Sequence, residues 1–181
     1  FTLDDVTDEV CKKLIFRHPH VFSNAQANTS DEVLIRWEEQ KRLEKHQSTH
    51  SEALDAVARS LPALWRADKL QNKAAKAGFE WPGIQQALDK LQEETGELRQ
   101  AVESGGQVEE ELGDVLFAAV KVGRFAGVDP EQALNKTCEK FIRRFRFVEQ
   151  KMAGCGLSME RASLEEMMAL WEEAKIEENK R

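Results

Sequence analysis

Two pairs of acids dominate the chemistry this chain could perform. Glu94 and Glu97 lie in LQEETGELRQ, and Glu111 and Asp114 lie in VEEELGDVLF. Each pair is spaced i,i+3, so each projects two carboxylates from one face of a helix. On the first helix Ile84, Leu88, Leu91, Thr95, Leu98 and Val102 form a stripe at helical period, and Glu94 falls inside it. On the second, Val108 leads to Glu111 and Val115, and Asp114 opens into the run VLFAAV. Carboxylates on a core-facing stripe are costly unless a positive charge meets them. Two carboxylates about 5 Å apart repel by roughly 3 kcal/mol at an effective dielectric of about 20. Four converging acids would therefore take up protons or hold a hard divalent cation. Magnesium suits such an all-oxygen shell, keeping waters and sharing its coordination with substrate phosphates. The alternative is an ordinary solvated face, because a chain that is 33% charged generates such spacings easily.

The elements that must position these acids are helices. Asp4 or Asp5 could cap a first helix to about Phe16, stopped by Arg17-His18-Pro19-His20, and Asn28-Thr29-Ser30 precedes a second through Trp37 and Lys45. Residues 46–59 read as a polar linker with one short helical turn. Ser60-Leu61-Pro62 starts a helix through Ala77, ended by Gly78, and Phe79-Glu80-Trp81-Pro82-Gly83 is a loop. The acidic helices follow at 84–104 and 107–126, separated by Ser104-Gly105-Gly106-Gln107, a break that permits an antiparallel hairpin with the two acid pairs facing each other. Asp129-Pro130 begins a long helix to about Met152, and Ser163 caps a last one to about Glu178.

At 181 residues the chain can hold one domain with a good core, or one domain plus an appendage, and 41% hydrophobic residues with 10 Gly, 4 Pro and long stretches at helical period favour an all-α fold. A net charge of −7 argues against a general nucleic-acid binder. No apolar stretch approaches the ~18 residues of a membrane span and no signal peptide is visible, so the expected location is cytoplasmic. Cys11, Cys138 and Cys155 lie far apart without a CxxC pairing and read as reduced thiols, not a disulfide frame or a zinc site. The chain opens on Phe1 rather than methionine, which fits a fragment or a processed form.

One pattern occurs twice. VCKKLIFRHPHV (10–21) aligns without gaps on TCEKFIRRFRFV (137–148), so that Cys11, Lys13, Ile15, Arg17 and Val21 recur as Cys138, Lys140, Ile142, Arg144 and Val148. RWEEQK (36–41) likewise matches LWEEAK (170–175), pairing Trp37 with Trp171 and Lys41 with Lys175. Such repeats mark a duplicated domain, of which 1–45 would be the tail of a first copy. Lys140 and Arg144 are spaced i,i+4 and can reach one anion together, which suggests a phosphate bridging metal and guanidinium. Arg143 and Arg146 read better as a solvated face paired with Glu139 and Glu149. Trp171 fits core or dimer packing as well as base stacking, and Trp81 could cover a base from its loop. His46 and His50 share a helical spacing but have no third ligand.

With these residues assembled, the chain resembles the MazG-type nucleoside triphosphate pyrophosphohydrolases. The family pattern EExxE followed by ExxD is met by Glu93-Glu94-Thr95-Gly96-Glu97 and Glu111-Leu112-Gly113-Asp114. SLPALWRADKLQNKAAKAGFEW (60–81), KFIRRFRFVE (140–149) and the WEExK ending resemble it too, and KLIFRHPHVF (13–22) resembles the end of the first repeat in two-repeat members. Cys138 departs from the expected asparagine, and the acidic half of a first repeat is missing. The resemblance implies an all-α helical bundle that dimerises, with 1–45 the tail of an incomplete first repeat, 46–59 a linker and 60–181 the catalytic domain. It implies magnesium-dependent hydrolysis of a nucleoside triphosphate to monophosphate and pyrophosphate. Glu94, Glu97, Glu111 and Asp114 would be the magnesium ligands, and Glu93 would help orient water. Lys140, Arg144 and Lys175 would hold phosphates, with Trp171 near the nucleotide. Two alternatives stay open: a non-catalytic helical interaction module, and a related pyrophosphohydrolase specific for one modified or deoxy nucleotide.

Overall fold

Helix starts and stops follow from local chemistry. Thr2, in extended backbone, opens helix α1 (Leu3–Arg17): its hydroxyl accepts from the Asp5 N–H, and the Asp5 carboxylate accepts from the Thr2 N–H at 2.7 Å. The cap is thus Thr2 rather than the expected Asp4 or Asp5, and Asp5 is its reciprocal partner. Pro19, which lacks an N–H, cannot continue α1, and it becomes the first residue of the short α2 (Pro19–Phe22). A second reciprocal cap, Thr49 with Glu52, starts α3 (His50–Asp55), the short turn expected within the linker. Helix α4 (Ala63–Lys76) ends before Gly78, whose φ of +89° suits glycine.

The acidic segment forms α5 (Ile84–Ser104) and α6 (Val108–Phe125). Gly105, at φ +71°, terminates α5, and the Gly106 N–H donates to the Ala101 carbonyl at 2.8 Å, so the chain reverses within a few residues. Asp129 caps α7 (Pro130–Gly154), accepting from the Gln132 N–H and from the Trp65 indole at 2.9 Å. Ser163 and Glu166 exchange hydrogen bonds at the start of α8 (Leu164–Asn179).

The structure is a computed structural model that describes residues 1–22, 29, 40 and 49–179. The second helix expected after Asn28 lies outside the described residues. Among the described residues every regular element is a helix, and none is long and apolar enough to cross a membrane. The chain divides into two compact units, Phe1–Leu61 with Lys69–Glu80 and Pro62–Asp68 with Trp81–Arg181. In the first, α1 buries none of its residues, while Ala53 and Val57 are buried around α3. The second holds two helix pairs: α5 lies along α6, and α7 along α8.

The core between α5 and α6 is built from small residues. Ala87 and Ala101 are buried on α5, with Ala118 and Val120 on α6. Glu94 lies midway, seven residues from each buried alanine of α5. The face that packs is therefore this alanine line flanked by half-buried Leu91 and Leu98, not the whole Ile84-to-Val102 stripe. Ile84, Leu88 and Val102 are 41%, 41% and 61% exposed, because alanines let two helices approach closely and push bulkier side chains to the flanks. The α7–α8 pair buries Val148, Met152 and Ala174.

Candidate active site on the acidic hairpin

The reversal at Gly105 brings acids from both sides together. Glu94, Glu111 and Asp114 each place a carboxylate oxygen within 4.8 Å of the others. Glu94 is buried, Glu111 half-buried and Asp114 exposed, so the cluster opens from the helix interface to solvent. Glu97 stands beside it. Its hydrogen bond with Glu94 pushes its carboxyl above the usual range, helped by burial and by the negative charges of Glu94 and Glu111. An open cleft of about 470 Å³ adjoins these residues, lined by Glu97, Gln100, Glu110 and Glu111 among others. Glu93 is exposed and is not one of the three that converge.

The cation that meets the buried acid is Lys90. Its ammonium lies 2.7 Å from Glu94 Oε1 and 2.6 Å from Glu93 Oε1. This contact, more than any other, holds the Glu94 carboxyl below its usual range. The acid set fits a hard divalent ion. All donors are oxygens, and oxygens on a shell of about 2.1 Å radius lie roughly 3 to 4 Å apart, near the spacing of this set.

The basic residues gather on α7 and α8. Arg144 Nε lies 2.8 Å from Glu178 Oε2, and Arg143 reaches the other oxygen at 3.4 Å, holding the Glu178 carboxyl down. The Arg144 guanidinium also sits 5.9 Å from the centre of the Trp171 ring, which packs on Phe141 at 5.1 Å. Trp171 thus has the packing role that the sequence allowed. Lys175 pairs with Glu172 at 2.6 Å. Half-buried Lys140 makes no ion pair among the described residues, leaving its charge available to an anion. Arg143, Arg144, Arg146, Phe147 and Glu178 help line a cleft of about 540 Å³. Arg143 is not paired with Glu139 as a solvated face would have it; its partner is Glu178, 35 residues away.

Sequence reasoning missed three residues. Lys90 was visible as the i−3 and i−4 neighbour of Glu93 and Glu94. Lys121, buried on α6 with its ammonium 5.2 Å from the Trp81 ring centre, was masked by the apolar run around it, and burial lowers its pKa. Glu178 carried no local signal.

Comparison with known proteins assigns the class. Residues 83–148, which hold α5, α6 and most of α7, match the MazG nucleotide pyrophosphohydrolase domain, so the acidic hairpin lies within the matched region. The chain is 44% identical over 182 residues to the nucleoside triphosphate pyrophosphohydrolase of Escherichia coli K12, covering 98% of this chain and 69% of that protein. It is 37% identical over 175 residues to the nucleoside triphosphate pyrophosphohydrolase/pyrophosphatase MazG of Thermotoga maritima, covering 97% and 66%. A nucleoside triphosphate pyrophosphohydrolase of Mycolicibacterium smegmatis is 33% identical over 138 residues, covering 73% and 41%. The chain belongs to the MazG family of nucleotide pyrophosphohydrolases.

Proposed function

We propose that this protein hydrolyses nucleoside triphosphates to nucleoside monophosphate and pyrophosphate, with magnesium as cofactor. The observation that carries this is the convergence of Glu94, Glu111 and Asp114, with Glu97 beside them, on one hairpin. In this reading Glu94, Glu97, Glu111 and Asp114 hold the metal, which when bound offsets triphosphate charge. A water oxygen bonds to the α-phosphorus as the α–β bridging bond breaks. Pyrophosphate leaves, and a carboxylate of the set takes the water's proton. Glu93 helps orient that water once Lys90 releases it. Lys140, Arg144 and Lys175 hold phosphates, Arg144 and Lys175 by exchanging Glu178 and Glu172 for the substrate, and Trp171 lies near the nucleotide.

The organisation that goes with this reading has 1–45 as the tail of a first MazG-like repeat, 46–59 as a linker and 60–181 as the catalytic domain. The protein works in the cytoplasm as a homodimer. Leu112, Leu116 and Phe117 on α6, exposed in a single chain, are the kind of surface a second copy would cover.

The test is incubation of the purified chain with each common NTP and dNTP, with and without magnesium, separating products by ion-exchange chromatography. Monophosphate plus pyrophosphate, abolished by EDTA, is the expected result. Diphosphate plus phosphate would overturn attack at the α-phosphorus, and no product with any nucleotide would favour the interaction module.

A further inference from the structure

We propose that Lys90 is a built-in counter-cation that competes with the divalent metal for Glu94, so that loading the site requires its ammonium to leave. The inference rests on the metal reading of the acidic hairpin. Glu94 is only 7% exposed, and the other buried residues of α5 are Ala87 and Ala101. A carboxylate there is costly to bury without a positive partner. Lys90 supplies that partner from one helical turn away, with 2.6 and 2.7 Å contacts to Glu93 and Glu94.

The atom Lys90 contacts, Glu94 Oε1, belongs to the carboxylate deepest in the cluster. A dication drawn to that carboxylate would meet an ammonium already on it, and like charges this close repel. The lysine can yield. Its side chain is 34% exposed and flexible, so it can swing outward without disturbing α5. Departure of Lys90 also frees Glu93, which shares the same ammonium. The site therefore has two states: one in which Lys90 partly offsets the negative charge from Glu93 and Glu94, and a loaded one in which it has moved off and both glutamates are released.

Isothermal titration of magnesium into the full chain tests this. Lys90→Met removes the competitor while keeping a good helix former, and should bind magnesium about threefold to tenfold more tightly than the unaltered chain. Lys90→Arg keeps the charge and should stay within about twofold. Thermal melts give a second readout: Lys90→Met should melt lower than the unaltered chain without metal, and magnesium should raise its melting temperature by more. Lys90→Gln serves the same purpose should the methionine variant fold poorly. Equal affinity in Lys90→Met and the unaltered chain would overturn the competition while leaving the metal reading intact. No magnesium binding by either would overturn the metal reading and the proposal with it.

Discussion

Residues 10–21 and 137–148 carry the same sequence pattern and meet different fates. The first copy ends a 15-residue helix that buries nothing and stops at His18. The second lies mid-way along the 25-residue α7, where Val148 and, just beyond the repeat, Met152 are 3% and 2% exposed. One position decides the helix: Pro19 stands where the second copy has Arg146, and proline cannot donate the next helical hydrogen bond. The second copy also gains environment from outside itself, since Arg144 is gripped by Glu178 and faces Trp171 on α8. The segment that would play the part of α8 for the first copy, around Trp37 and Lys41, lies outside the described residues. A repeated pattern therefore specifies a helix with cations on it. The acids upstream and the helix that packs against it determine what those cations do.

The largest expected effect breaks the comparison at the acids, which the first copy does not carry here. Asp114→Asn should lower turnover by about a thousandfold or more while helix content holds, read by product formation and circular dichroism. Near-normal turnover would remove the acidic hairpin from the chemistry. Next comes packing. Met152→Ala should destabilise the protein by about 2 to 4 kcal/mol in urea unfolding, whereas Leu14→Ala, at a position 49% exposed, should cost under about 0.5 kcal/mol. Similar losses at both sites would mean that the first copy is covered in solution. The smallest effect concerns the cations. Lys140→Ala should weaken binding of an α,β-non-hydrolysable triphosphate about tenfold, and Lys13→Ala, its counterpart, should change it by less than twofold. Equal effects would make the two copies functional equivalents.

Much of this was legible in the sequence because the signals are local. Asp129-Pro130, Ser163 with Glu166, and Gly105 each mark a helix end within a turn of where it falls. The acid pairs could be placed together because a four-residue break leaves two helices little choice but to fold back. The covered side of α5 was not legible. Two overlapping lines of side chains share helical period, and the smaller residues win because they permit closer approach. Nor was Glu178 as the partner of Arg144, since nothing on α7 encodes a contact 34 residues away.

The short turn at Gly105 has a bearing on how the protein is made. From Glu94 to Asp114 the acids occupy one stretch of chain closed by local contacts, and local contacts form fast. During synthesis this hairpin can assemble before α7, with Lys140 and Arg144, has left the ribosome. For that interval the newborn segment carries its crowded negative charge without the basic helix, and Lys90, already part of α5, is the charge at hand to quiet it.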